Sequence, residues 1–311
     1  MAIEYEKVNS IFDNPQLNSK LLIASSMVEF AGDVVVNASF NELTDGADKS
    51  MKGMLKYGAF PYLWRKMAGV NFTDYKGRSA YKAFANTFEL ICRYDDMLDI
   101  SGAELAPIDF KQDNYSKANL HELLCAVKKA PADKRLKNEF LSGLGNFRKV
   151  GYREYRNHEL NPDADRGFEA TKTYKELICG TNGVLAAKLC RLYSPETTDE
   201  VARSVESAFW YHSLYYQVGD DFRDMKDDDL NHSSNFVWAS LSGNPDEETR
   251  VRNVLSTGAE FRLSDFAVLA PESSSLYCQA LNEYHTELAK SSGHMLPFID
   301  TIYSKFYTKV K

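Results

Sequence analysis

Residues 83–99 read AFANTFELICRYDDMLD, an apolar and aromatic stretch that ends in three aspartates. Its apolar residues recur at three- and four-residue spacing, which predicts a helix over residues 79–99. They lie on nearly every side of that helix, as is typical of a helix at the centre of a domain. On it, Asp95 and Asp96 each share a side with Asp99, and these like charges repel one another. No lysine or arginine follows them closely, so a divalent cation is their natural partner.

The remainder of the chain has the same helical character. Prolines and glycines cluster in short loops, and the segments between them are rich in Ala, Leu, Glu, Lys and aromatic residues. Sustained alternation of the strand type is missing from the sequence. No Gly/Ser linker or internal repeat divides the 311 residues. We therefore predict an all-α fold in which residues 1–311 form a single large helical bundle.

Composition restricts the class of protein. A formal net charge of −7 and 44% hydrophobic residues describe a globular chain without the basic face of a duplex nucleic-acid binder. No stretch approaches the roughly 18 uninterrupted apolar residues of a membrane span, and the N-terminus has no export signal. Five widely spaced cysteines suggest neither a disulfide framework nor a zinc site. We expect a cytoplasmic protein with no nucleic-acid partner and no transmembrane segment.

A second acidic stretch, YYQVGDDFRDMKDDD, occupies residues 215–229 and also follows an aromatic segment. Asp220, Asp224 and Asp228 stand at four-residue steps, so they share one side of a helix. One such row alone is more often a solvated face. Two rows on aromatic helices can instead face each other across a cavity and hold Mg²⁺, which prefers oxygen ligands and completes its shell with substrate phosphates. The two stretches together predict a metal–diphosphate site.

The two acidic stretches, in this order on a helical chain, resemble the aspartate-rich motifs of class I isoprenoid synthases. The resemblance implies an all-α bundle with a central active-site cavity, in which three Mg²⁺ ions and the diphosphate of an allylic prenyl substrate are bound. Mn²⁺ is a candidate substitute for Mg²⁺, and a homodimer is a candidate assembly. The metal ligands and catalytic residues implied are Asp95, Asp96, Asp99, Asp220, Asp224 and Asp228.

Three branches of that superfamily offer comparisons. DDFRDMKDD aligns with the terpene-cyclase pattern NDxxSxxxE, and SSNFVW at 233–238 is similar to the segment that follows this motif in bacterial cyclases. ELICRYDDMLD and QVGDDFRDMKDD are similar to the acidic helices of squalene and phytoene synthases, and YKELICGTNG at 174–183 is similar to a further segment of theirs. QVGDDFRD also resembles chain-elongating prenyl diphosphate synthases. These carry an arginine pair after the first motif, where this chain continues ISGAELAP.

We favour a terpene cyclase, a carbon–oxygen lyase, over a head-to-head coupling prenyltransferase, and we rank chain elongation third. In such chemistry an aromatic wall shields a carbocation from water and stabilises it by cation–π attraction. The predicted wall residues are Phe84, Phe88, Trp210, Tyr211, Tyr215 and Tyr216. The remaining predicted substrate contacts are the basic residues Arg223, Lys172 and Lys175, which would bind the diphosphate, together with Tyr174 and Gln217.

Two alternatives outside these branches stay open. A non-enzymatic helical interaction protein could use its acidic rows to bind metal ions or basic partners, although the calcium-loop signature DxDxDG is missing. A phosphatase acting on prenyl diphosphates would share the metal site. Gly180 and Gly183 lie in a predicted helix, where each costs about 1 kcal/mol relative to alanine, and either a bound ligand or tight helix packing would explain them.

Overall fold

The structure, a computed structural model, describes residues 83–92, 114–158, 163–231 and 234–292. It also describes residues 64, 79, 80, 94, 161, 296, 297, 299, 300, 303 and 310. No β-strand occurs among them, and the predicted all-α fold class is confirmed. None of the helices in these ranges is long and apolar enough to cross a membrane. The single domain over residues 1–311 stays a prediction.

Residues 83–92 form the first continuous helical stretch of the described chain. Long and short helices then follow one another with brief connections. In chain order they are α1 (Asn114–Lys129), α2 (Lys134–His158), α3 (Phe168–Tyr193), α4 (Asp199–Arg223), α5 (Met225–Asn231), α6 (Phe236–Leu241), α7 (Pro245–Ser256), α8 (Leu263–Leu269) and α9 (Pro271–Ser292).

Helices α3 and α4 pack antiparallel along their whole length. An ion pair between Arg191 and Asp199 joins them at the turn, and Lys175 Nζ lies 3.3 Å from a carboxylate oxygen of Asp221 at the far end. Short connections favour this arrangement, because consecutive helices are then forced to be neighbours. The pairing fixes the end of α4 against the beginning of α3.

The long helices α2 and α9 flank this pair. Helix α2 also runs antiparallel to α3, since Lys188 Nζ donates to the carbonyl of Glu139 at 3.1 Å while the rings of His158 and Tyr174 stack 4.5 Å apart. Helix α9 packs on the other side of α4, where the buried Tyr277 hydroxyl donates to the carbonyl of Val218 at 2.8 Å. The beginning of α3, and the ends of α2 and α4, therefore lie at the same end of the bundle.

Helices α3 and α4 approach each other closely at Gly183. A Cβ atom on this residue would lie only 2.4 Å from the carbonyl oxygen of Glu206, a backbone atom that cannot rotate away. At Gly180 the nearest atoms belong to the Trp210 indole at 3.6 Å, an ordinary contact distance. Tight helix packing, one of the two explanations left open by the sequence, accounts for Gly183.

The side chain of His212 on α4 is buried, and desolvation lowers its pKa to about 4. The unfolded chain has a histidine pKa of about 6.5, so between these values it binds a proton that the folded chain does not. The free energy of unfolding is therefore unaffected by this histidine at pH 7, above both pKa values, and it falls as the pH drops. Between pH 7 and pH 5 we expect wild type to lose about 2 kcal/mol more than His212→Gln in urea unfolding. Equal losses in both proteins would contradict this assignment.

Candidate functional site

The second acidic row keeps its helical register across a break in the helix. Helix α4 ends at Arg223, Asp224 is its C-cap with φ −100° and ψ 12°, and α5 begins at Met225. The Asp224 amide still donates to the Asp220 carbonyl at 2.8 Å, and the Asp228 amide donates to the Asp224 carbonyl at 3.0 Å. Four-residue steps bonded in this way keep the three aspartates on one side, as the sequence predicts.

These carboxylates are accessible to an ion, but they do not form a complete metal site by themselves. The side chains of Asp220 and Asp224 are 28% and 25% exposed. In the part of the chain that the structure describes, no three His, Cys, Asp or Glu side chains converge closely enough to hold a metal ion. An ion at this row would need further ligands, such as phosphate oxygens or a second acidic row.

The first acidic row, formed by Asp95, Asp96 and Asp99, lies outside the described residues. The helical residues before it lie beside α4, because the ring of Phe84 contacts that of Phe209 edge-on at 5.5 Å. Phe209 stands eleven residues before Asp220, about three helical turns, and so shares its side of α4. Sequence reasoning did not select Phe209.

Contacts at Ser79 and Tyr94 fix the direction of this segment. Ser79 Oγ lies 3.2 Å from the hydroxyl of Tyr193 at the end of α3, which adjoins the beginning of α4. The Tyr94 hydroxyl donates to the carbonyl of Arg148 at 2.7 Å, in the second half of α2. The segment therefore runs in the direction of α4. Tyr94, which directly precedes Asp95 in the sequence, lies towards the end of the bundle that carries Asp220.

A buried carboxylate that the sequence analysis passed over lies next to the row. Asp221 is 2% exposed and accepts hydrogen bonds from Gln217 Nε2 at 2.6 Å, the amide of Phe236 at 2.8 Å and Lys175 Nζ at 3.3 Å. Burial raises the pKa of Asp221, and the Lys175 charge and these hydrogen bonds oppose that rise. Gln217 and Lys175, both predicted substrate contacts, are thus bonded to a neighbour of the row.

Asn235 joins this buried carboxylate to the end of the row. Its Nδ2 lies 2.6 Å from the carbonyl oxygen of Asp221 and 2.6 Å from Oδ2 of Asp228. Burial, followed by the charge of Asp221, raises the pKa of Asp228 to about 7, while the Asn235 hydrogen bond acts in the opposite direction. In the sequence, Asn235 stands out only as part of the segment SSNFVW, and no contact with an aspartate was predicted for it.

The other basic residues and Tyr174 have protein partners. Arg223 Nε lies 3.2 Å from Asp224 Oδ1, and a guanidinium nitrogen of the same residue lies 3.9 Å from Asp220. Lys172 binds Glu283 of α9 at 2.7 Å instead of an aspartate of the row. Tyr174 stacks on His158 of α2. Spacing alone treats Lys172 and Lys175 alike, whereas the fold brings only Lys175 to the acidic stretch.

The aromatic residues predicted as a cavity wall divide into two groups. The first group comprises Tyr216, which stands four residues before Asp220 and so shares its side, and Phe84 and Phe88, whose rings stack 6.3 Å apart on the segment beside α4. The second group comprises residues 210, 211 and 215. Because a helix turns about 100° per residue, these positions lie on other sides of α4 than Asp220.

Contacts of that second group involve packing. Trp210 donates its indole N–H to the Glu176 carbonyl at 3.0 Å and stacks 5.3 Å from Tyr211. Tyr215 stacks 4.5 Å from Tyr303. These contacts give Trp210, Tyr211 and Tyr215 packing partners, and their place in a cavity wall stays a prediction.

The fold recurs among solved structures although the sequence has diverged. No family model matches the chain, and no curated protein sequence matches it. A geranylgeranyl pyrophosphate synthetase from the archaeon Geoglobus acetivorans aligns with a TM-score of 0.57 and 13% identity, over 92% of this chain and 98% of that one. A T. brucei farnesyl diphosphate synthase covers 93% and 99% at 11% identity and a TM-score of 0.45. The alignment with the archaeal synthetase is the one that shows the all-α fold of the isoprenoid synthases in this chain.

Proposed function

We propose that the protein is a Mg²⁺-dependent enzyme that ionises an allylic prenyl diphosphate. The acidic row carries the proposal, because it keeps four-residue register across the α4–α5 break on the side of α4 that faces Phe84. The chain from Phe84 leads within eleven residues to Asp95. The shared fold supports the same conclusion, since proteins of that fold include a geranylgeranyl pyrophosphate synthetase.

The donor set suits Mg²⁺. Carboxylate oxygens are its preferred protein ligands, and it is usually bound by one or two of them together with substrate phosphates. Asp220 and Asp224 are exposed enough to reach such an ion. We propose that three Mg²⁺ ions are held by Asp220, Asp224 and Asp228 and by the first row, Asp95, Asp96 and Asp99. When bound, these ions would supply Lewis acidity and a template for the leaving diphosphate.

The protein's own side chains have two further tasks. Arg223 and Lys175 lie within 3.3 Å of Asp224 and Asp221, which places both cations at the end of the bundle where diphosphate oxygens would compete with these carboxylates for them. Tyr216 and Phe88 offer ring faces that exclude water and stabilise positive charge on the allylic fragment. Both tasks follow from the position of these residues beside or opposite the acidic row.

Within this class we propose cyclisation, which makes the protein a lyase. The reason is the sequence ISGAELAP after the first acidic row, where elongating enzymes carry the arginine pair for a second substrate. Chain elongation is the second candidate, because the archaeal protein of the same fold is a geranylgeranyl pyrophosphate synthetase. The cytoplasmic location and the homodimer stay predictions.

Product analysis tests this proposal directly. The protein is incubated with Mg²⁺ and geranyl, farnesyl, geranylgeranyl or geranylfarnesyl diphosphate, each with and without isopentenyl diphosphate. Extracts are analysed by gas chromatography and mass spectrometry before and after dephosphorylation. We expect a cyclic hydrocarbon or alcohol from one substrate alone, and we expect EDTA to abolish its formation because the diphosphate, no longer neutralised by metal, then fails to leave.

Each other result selects a different function. A longer diphosphate that forms only with isopentenyl diphosphate identifies an elongating enzyme, and a linear product of doubled length identifies head-to-head coupling. An unrearranged alcohol identifies a phosphatase. No conversion of any substrate would overturn the enzymatic proposal in favour of an acidic interaction protein.

A further inference from the structure

We infer that Asn235 is a positioning residue that orients the carboxylate of Asp228 and sets the place of α5 relative to α4. The inference rests on the proposed function, because it concerns one of the aspartates assigned to the metal. Asn235 lies outside every acidic motif, and it is only 2% exposed. Its role follows from its hydrogen bonds and from the break in the helix that they span.

The side-chain amide of Asn235 uses its whole hydrogen-bonding capacity. Nδ2 donates to the Asp221 carbonyl and to Asp228 Oδ2, both at 2.6 Å. Oδ1 accepts from the backbone amides of Val237 at 2.8 Å and Trp238 at 3.3 Å. An asparagine has two donors and two acceptor positions, and all four are satisfied here.

This set of partners permits only one orientation of the amide. Rotating it by half a turn would place Oδ1 against the oxygens of Asp221 and Asp228 and Nδ2 against two N–H groups. Four favourable contacts would become four repulsive ones. The donor side of Asn235 therefore always faces Asp228 and fixes one oxygen of that carboxylate, and no residue in the described part of the chain bonds to the other.

The segment that contains Asn235 also binds both sides of the helix break. The amide of Phe236 donates to Asp221 Oδ2 in α4, and the indole N–H of Trp238 donates to the carbonyl of Met225, the first residue of α5, at 2.7 Å. Helix α5 has only seven residues and is too short to be stable by itself. Its position, and hence that of Asp228 relative to Asp224, is set by this segment.

A second asparagine in the chain separates this role from helix capping. Asn244 caps α7 in the same way, with its side-chain oxygen accepting from the Glu247 amide at 3.3 Å. Its Nδ2 donates at 3.2 Å to the exposed Glu272, far from the acidic row in the sequence. Serine retains the capping function at either position but removes the amide donor. A serine substitution thus loses the contact to Asp228 only at Asn235.

The test compares Asn235→Ser with Asn244→Ser by calorimetric titration of inorganic pyrophosphate over a range of Mg²⁺ concentrations. We expect Asn235→Ser to raise the Mg²⁺ concentration for half-maximal binding by about tenfold or more, the usual effect of removing a group that orients a metal ligand. Asn244→Ser is expected to match the wild type within about twofold, since its amide contacts no proposed ligand. A residue that only caps a helix would affect stability and not the Mg²⁺ dependence. Urea midpoints measured in parallel therefore show whether a loss of stability explains the difference in Mg²⁺ dependence between the two variants.

The outcomes separate this inference from the proposed function. If the wild type binds no pyrophosphate with Mg²⁺, both the proposed function and the positioning role are overturned. If the wild type binds and Asn235→Ser binds equally well, only the positioning role is overturned. Should Asn235→Ser fail to fold, Asn235→Asp replaces it, because aspartate retains the size and the capping oxygen but repels Asp228. Unchanged Mg²⁺ dependence in that variant also overturns the inference.

Discussion

Replacing Asp224 with asparagine is expected to lower kcat on the prenyl diphosphate by about 10³-fold, because a charged metal ligand at the centre of the row is lost. A bound metal ion contributes several kcal/mol to stabilising developing charge, and each 1.36 kcal/mol corresponds to about a factor of ten. Asparagine has the size of aspartate, and the 2.8 Å backbone bond from residue 224 to the Asp220 carbonyl is retained. Product formation at saturating Mg²⁺ measures the effect.

Asp227→Asn is the matched control for that variant. Asp227 is exposed on α5 and lies outside the four-residue row, so the substitution removes the same charge from the same stretch. We expect its turnover to equal that of the wild type, and we expect the urea midpoint of Asp224→Asn to be unchanged. Asp95→Asn should behave like Asp224→Asn. Full turnover in both Asp95→Asn and Asp224→Asn would remove the paired-metal hypothesis.

Gly183→Ala is expected to reduce the free energy of unfolding by about 3 kcal/mol or more, the upper range for overpacking of a tightly packed contact. The added Cβ would lie 2.4 Å from the Glu206 carbonyl oxygen, so one helix backbone has to move. The usual gain of about 1 kcal/mol from replacing a helical glycine is too small to offset this strain. Urea unfolding followed by far-UV circular dichroism gives the difference.

Gly180→Ala, one turn earlier on the same helix, is the control for packing. Its Cβ would meet the Trp210 indole at 3.6 Å, which is ordinary van der Waals contact. Only the helix-propensity gain then applies, so this variant should match or exceed the wild type by up to about 1 kcal/mol. Equal stability of the two alanine variants would show that the helices adjust at Gly183 without cost.

Structural features that follow from the regular spacing of residues along the sequence were predictable. Apolar spacing predicted the all-α fold, and four-residue spacing predicted that Asp220, Asp224 and Asp228 share a side even though the helix breaks at Asp224. Both depend on local geometry, which repeats every 3.6 residues in any helix. The register of the row is therefore readable without the fold.

Contacts between distant segments were not predictable in this way. Asp221 stands next to the row but turns towards Lys175 of α3, and Asn235 reaches back to Asp228 from the next helix. Neither partner has a fixed sequence distance from the acid that it binds. Aromatic content likewise selected Trp210 and Tyr215 as wall residues but did not predict their contacts with Glu176 and Tyr303.

The close contact at Gly183 also bears on how such a protein can diversify. The atoms that meet there belong to the main chains of α3 and α4, the two helices that also carry the Lys175–Asp221 pair. Exchanging apolar side chains elsewhere in the bundle removes none of the atoms that make this contact. Under the proposed function, substitutions in the interior could therefore change the product while this main-chain contact is kept.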